Sequence, residues 1–209
     1  MIAIYLGISY LGGEWGRKIL YPIRMLVTFL HEFGHAVGAL ITGGSVLDVQ
    51  INSDGSGFTR SMGGIPSIIL MGGYIGSALF GNILFLIGAR AQKLVKPFIW
   101  LTAIAMILTG ILWFNSIFTT VVLLIFALAL ILIAQKTNFG DEVLMFLGLA
   151  SIIFIIQDFN VGPSSDLAKY AEIMVILPAN VWMYIWLGVA LILTVINLRI
   201  VFRKETKVH

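Results

Sequence analysis

His31-Glu32-Phe33-Gly34-His35 is the stretch of this sequence whose residue types and spacing can do chemistry. On a helix, residues four apart sit one turn apart on one face. Two imidazoles so placed reach a single Zn²⁺, and the glutamate between them addresses a water on the metal. In an arbitrary soluble helix the same pattern reads equally well as two hydrogen-bonded core histidines with a paired glutamate. The surroundings decide between these readings. At about 100° per residue, Thr28, His31, Glu32, His35, Gly38, Ala39 and Thr42 share one side of the helix, and Leu26, Phe29, Leu30, Phe33, Val37, Leu40 and Ile41 the other. The helix has a polar or small stripe and an oily back.

The chain that must position this helix has 209 residues, 59% hydrophobic and 11% charged. A soluble domain carries about 25% charged residues. Mean hydropathy is +1.02, and apolar runs of about 18 residues or more recur, long enough to cross about 30 Å of hydrocarbon. Spans are expected at 19–42, 65–88, 98–114, 117–134, 142–158 and 180–202. Residues 98–134 as one helix would run about 55 Å, so the chain must turn, at Asn115-Ser116. Residues 1–11 are too short to span and lack a basic start and a small-residue cleavage site. They read as an interfacial or re-entrant segment. The expected fold is an all-α polytopic membrane protein, one membrane-embedded domain over 1–209 with six helices and a small β-hairpin between the first two. Three ionisable residues in five at mid-bilayer each cost roughly 2.5–3.5 kcal/mol on insertion scales, so they demand a compensating partner, which a divalent metal supplies. The stripe must face the bundle interior or a water-filled cavity.

The sequence has no cysteine, which excludes disulfides, thiolate zinc sites and cysteine nucleophiles. The net charge of +3 points to no nucleic-acid partner, because the charges lie at span ends. Six spans put both termini on one side. Arg17, Lys18, Arg24, Arg90, Lys93, Lys96, Lys136, Arg199, Arg203, Lys204 and Lys207 fall there, against Arg60 and Lys169 on the other. That side is expected to be cytoplasmic, in a plasma or inner membrane. The loops 43–64 and 159–179 then face outward or into a lumen. In the first, Val46 to Ile51 alternates and is β-branched, residues 52–57 are turn formers, and Phe58-Thr59-Arg60 can return as a second strand. In the second span Gly73, Gly76, Ser77, Gly81 and Gly88 cluster on one side, with a G-x-x-x-G from Gly72 to Gly76, which reads as close helix packing. Asn82 points elsewhere on that wheel.

Taken together, the embedded His31–His35 motif, Gly43-Gly44, the polar hairpin, Gly72-Gly73-Tyr74-Ile75-Gly76-Ser77 and the late Ser165-Asp166-Leu167-Ala168 with Pro178 and Trp182 give a chain that resembles the site-2 protease family of intramembrane zinc metalloproteases, especially its compact branch. The resemblance implies a zinc endopeptidase acting on membrane-protein or peptide substrates with a transmembrane helix, within the lipid bilayer. Glu32 would be the catalytic base, and His31, His35 and an aspartate would hold the Zn²⁺. It also implies a β element that takes up an unwound substrate as an added strand, with the backbone donors of Val49 and Ile51 as candidates. The family's Leu-Asp-Gly motif, which carries its third ligand, is absent. The sequence also lacks a G-x-S-x-G-like nucleophile, and Asn138-Phe139-Gly140-Asp141 lacks the first glycine of a G-x-G-D motif, so serine and aspartyl intramembrane chemistries fit less well. The reading from another class is a non-catalytic membrane protein, an ion or proton transporter or a helix-binding pseudoprotease.

The third ligand has to be argued from depth. From Ile19, His31 and His35 lie about 18 and 24 Å along their helix. Asp158, counted from Glu142, lies about 24 Å along its own. Ser151, seven residues earlier, shares its face. Asp158 is therefore the expected ligand. Asp166 is the alternative, since Gly162-Pro163-Ser164-Ser165 leads into an apparent short helix where a serine cap and an early acid favour the N-terminus.

Overall fold

The structure is a computed structural model that describes residues 2–202; the side chains of residues 2–4 and of Asp158 lie outside that description, as do Arg203, Lys204 and Lys207. In chain order it contains α1 (Ile2–Leu11), α2 (Gly13–Ile41), β1 (Ser45–Ile51), β2 (Gly57–Met62), α3 (Pro66–Arg90), α4 (Gln92–Leu112), α5 (Ile117–Lys136), α6 (Gly140–Asp158), α7 (Asp166–Met174) and α8 (Ala179–Phe202). Of the described residues 78% are helical, and two strands form an antiparallel sheet. Among the described residues five helices, α3, α4, α5, α6 and α8, are long and apolar enough to cross a membrane. Helix α2, at 29 residues, is the longest of the described helices, but its polar stripe keeps it out of that apolar class. The expected turn at Asn115-Ser116 separates α4 from α5, and Ser116 caps α5 by accepting the Thr119 N–H.

Helix α2 stands at the centre. Its oily back, with Phe29 and Leu30, packs into a cluster with Leu84, Ile87, Ile99, Met106 and Leu123. Val27, one step around, joins Tyr74, Ile155, Leu167, Tyr170 and Trp186 in a second cluster. Leu101, Leu108, Ile125, Leu128, Ile192 and Ile196, outside these clusters, are exposed on α4, α5 and α8, as lipid-facing side chains should be. Glycines set the helix spacing. A Cβ on Gly34 would lie 2.0 Å from Gly72 O, and one on Gly148 would lie 2.5 Å from Gly81 O. Neither contact leaves room for any side chain, so the close-packing reading of the second span holds on two of its sides. Within α3, Gly72–Gly76 forms a π-helical turn, a widened turn often found at functional sites.

The hairpin expected between the first two spans is present, with Ser45–Ile51 paired antiparallel to Gly57–Met62. It folds back along α2. Tyr21 Oη donates to Ser53 O (2.7 Å) and Thr28 Oγ1 to Gly55 O (2.7 Å), and Gly55 packs on the Arg24 side chain. Thr28 is about 21 Å back along α2 from Thr42, where the chain leaves the helix, and a seven-residue strand covers about that length. The hairpin thus covers the polar stripe from Thr42 to Tyr21, which supplies the hydrogen bonds a bilayer would not. Its tip is closed by Asn52 N–H to Ser56 O (2.8 Å) and by Asp54, whose side chain accepts from Ser56 N–H; Gly55 takes the left-handed conformation there (φ 85°).

The register also corrects which strand edge is free. Val49 N–H donates to Trp113 O (3.1 Å) and Ile51 N–H to Thr119 Oγ1 (3.0 Å), so the donors expected to greet an added strand are already taken by the α4–α5 turn. Those two residues pair with Thr59 and Gly57. In an antiparallel ladder, partners of outward-pointing residues also point outward, so the peptide groups of Gly57 and Thr59 face away from β1. Asp48 anchors the same strand to the turn and to β2 through Asn115 (3.0 Å) and the Arg60 guanidinium.

Candidate metal centre

His31 and His35 reach the same point from successive turns of α2. Their Nε2 atoms are 3.2 Å apart. Asp166 Oδ2 lies 3.0 Å from His31 Nε2 and 3.1 Å from His35 Nε2. The three atoms form a nearly equilateral triangle, close to the edge of about 3.3 Å expected between ligands on a tetrahedral Zn²⁺ with bonds of about 2.0–2.1 Å. Among the described residues these three are a group able to hold a metal ion. His35 is buried, and the side chains of His31 and Asp166 are 15% and 20% exposed.

The hydrogen bonds fix what the ring nitrogens can do. His35 Nδ1 is 2.7 Å from Ile69 O, and a carbonyl only accepts, so Nδ1 carries the proton. In the neutral ring Nε2 then holds a lone pair, which faces a carboxylate oxygen and a second imidazole nitrogen. One proton bridges only one of the three pairs, whereas a metal cation satisfies all three. Gly73, in the π-helical turn, keeps the space beside these atoms open: a Cβ there would sit 2.6 Å from both Nε2 atoms. Donor chemistry, spacing and free space all fit a metal.

Asp166 arrives on α7, the short helix expected in the late loop. Ser165 caps it by accepting the Ala168 N–H (3.2 Å). Leu167 is fully buried, and Tyr170 packs edge-on against Trp182 and Trp186, which seats the helix against α8. Asp158 ends α6. Phe159, the next residue, stacks on Tyr74 (4.6 Å), and Tyr74 packs edge-on against His31 (4.8 Å).

Glu32 is buried beside the triangle. Thr59 Oγ1 lies 2.9 Å from both Glu32 Oε2 and Glu32 O, so β2 holds the carboxylate through one hydroxyl. Nothing in the sequence marked Thr59, because its role depends on the strand folding back along α2. Gly73 did stand in the glycine-rich segment, but its place beside the histidines could not be told from packing. Asn82 is engaged elsewhere: its amide donates to Ala78 O and Thr194 Oγ1, and it accepts from Asn197 Nδ2. A cavity of about 400 Å³, lined by His31, Glu32, His35, Asp166, β2 and the loop before α7, gives access to the centre.

A family model described as Peptidase M50B-like matches residues 1–197 of the chain. No curated protein and no solved structure gives a significant match.

Proposed function

This multi-pass membrane chain belongs to the Peptidase M50B-like family, of the site-2 protease type, and we propose that it is an active zinc endopeptidase cutting membrane proteins or peptides within or near a transmembrane helix. The observation that carries the proposal is the triangle of acceptor atoms from His31, His35 and Asp166 with the Glu32 carboxylate beside it. In this assignment Asp166, rather than Asp158, is the third ligand.

Zinc in such a donor set supplies a Lewis acid for the scissile carbonyl and lowers the pKa of water. The rest falls to the chain. Glu32 takes the proton of the attacking water and returns it to the leaving amine. The Ile69 carbonyl holds the His35 ring in one tautomer. Strand β2 offers the peptide groups of Gly57 and Thr59 at the cavity wall. A substrate segment added there is extended, as it must be, since a peptide bond inside a helix is shielded by its own turns. The excess of basic residues at one set of span ends supports a reading with both termini cytoplasmic, in a plasma or inner membrane.

The test is metal analysis of purified protein, wild type beside His31→Ala, with cleavage of a single-span membrane substrate measured in Glu32→Gln. About one zinc per chain, lost in His31→Ala, together with a zinc-loaded but inactive Glu32→Gln, supports the proposal. Zinc content independent of His31 would sink the site, and an inactive wild type that still holds zinc would mark a pseudoprotease.

A further inference from the structure

Two cavities meet at Glu32. Beyond the one that holds the ligand atoms lies a second, of about 180 Å³, between α2, the hairpin tip and α6. His31, Glu32, Ser56 and Gly57 line both, so the second is a side chamber of the first.

Its lining mixes the polar residues Thr28, His31, Glu32 and Ser56 with the apolar Val27, Phe154 and Ile155. The Thr28 hydroxyl donates to Gly55 O (2.7 Å), and its methyl faces Gly57, where a Cβ would meet it at 2.8 Å. Glu32 presents its Cγ methylene to the same point, also at 2.8 Å, while Thr59 holds its carboxylate. Val27, Phe154 and Ile155 supply its apolar side. Gly57 brings no side chain to this face, and its peptide group points away from β1. Residues directly beside one another on neighbouring strands put their side chains on the same face. A strand added to β2 therefore turns the side chain beside Gly57 toward the chamber.

We infer that the side chamber is a specificity pocket for one apolar side chain of the bound segment, at the residue beside Gly57. Acidic side chains are excluded, because the Glu32 carboxylate stands at its mouth. The inference rests on the hydrolytic reading of His31, Glu32, His35 and Asp166.

The experiment uses the full-length, zinc-loaded protein in detergent and a series of peptide hydroxamates that differ only in the side chain next to the hydroxamate: Gly, Leu, naphthylalanine and Asp. The Leu probe binds at least about tenfold tighter than the Gly probe, as burial of its methylenes requires, and the Asp probe binds weakest. Val27→Phe fills the chamber and erases the Leu advantage with zinc content unchanged. Ile155→Ala enlarges it and raises affinity for the naphthylalanine probe relative to Leu, so either variant decides if the other fails to fold. A flat ranking, a preference for Asp, or a Leu advantage indifferent to both variants overturns the pocket. So does zinc-loaded protein that binds none of the probes. Protein that takes up no zinc overturns the hydrolytic reading itself, and the pocket with it.

Discussion

Replacing Gly73 with alanine should remove the metal without touching a ligand. The added Cβ would stand 2.6 Å from His31 Nε2, His35 Nε2 and His35 Cε1. Ordinary contact begins at 3.4 Å, so atoms must retreat by 3.4 − 2.6, about 0.8 Å. Retreat of the α3 backbone from α2 is resisted by Tyr74, the next residue, whose ring is stacked on Phe159 (4.6 Å) and packed against Trp186 (6.0 Å). The imidazoles must move instead. Zinc sites hold their distances to about 0.2 Å, so a displacement of that size detaches at least one ligand. Disturbing only the partners of ligands costs roughly 10–100-fold in affinity, so Gly73→Ala should cost at least the upper end of that range. The assay is zinc retention against a graded chelator, with Gly76→Ala as the control. Its Cβ would meet Gly34 Cα at 3.4 Å, an ordinary contact, and it should keep the metal. Zinc affinity in Gly73→Ala within about threefold of wild type, on the order of 0.6 kcal/mol, would refute the placement of the three ligand atoms against the π-helical turn.

Asp166→Ala should lose zinc to a chelator that wild type resists, while Asp158→Ala should retain it; the opposite pattern, measured as bound zinc per chain, would return the third ligand to α6. Thr119→Val removes both the acceptor for Ile51 N–H and the donor to Ile51 O (3.1 Å), and at about 1 kcal/mol per lost bond hydrogen exchange at Ile51 should quicken roughly thirtyfold while zinc content stays constant; unchanged exchange would show that β1 is not held by the α4–α5 turn. Asp48, bonded by the Arg60 guanidinium, keeps its carboxyl below the ordinary carboxylate range. Its stabilisation is therefore complete above the unfolded value of about 3.9 and is lost as pH falls through the lower folded value, so pepsin should cut the hairpin in Arg60→Gln at a higher pH than in wild type, and equal sensitivity would sink the linkage.

The sequence by itself determined the elements and the chemistry that α2 carries. Apolar runs of spanning length fix helices wherever the surrounding hydrocarbon leaves backbone groups no other partner, and a spacing of four on a helix puts His31 and His35 on one face however the rest of the chain folds. The Asn115-Ser116 turn, the hairpin strands and the serine-capped helix at Asp166 were local in the same sense, each set by residues within a few positions of one another. The tertiary structure decided what joins across distance. Depth arithmetic along α6 pointed to Asp158, but distance along a helix cannot say that the chain beyond it turns back and carries Asp166 to His31, 135 residues away in sequence. The hairpin shows the same division. Its alternation gave the strands, yet which edge stays open depended on Trp113 and Thr119 arriving from another turn. Its course back along α2 followed from a polar stripe that needed hydrogen-bonding partners the bilayer could not provide.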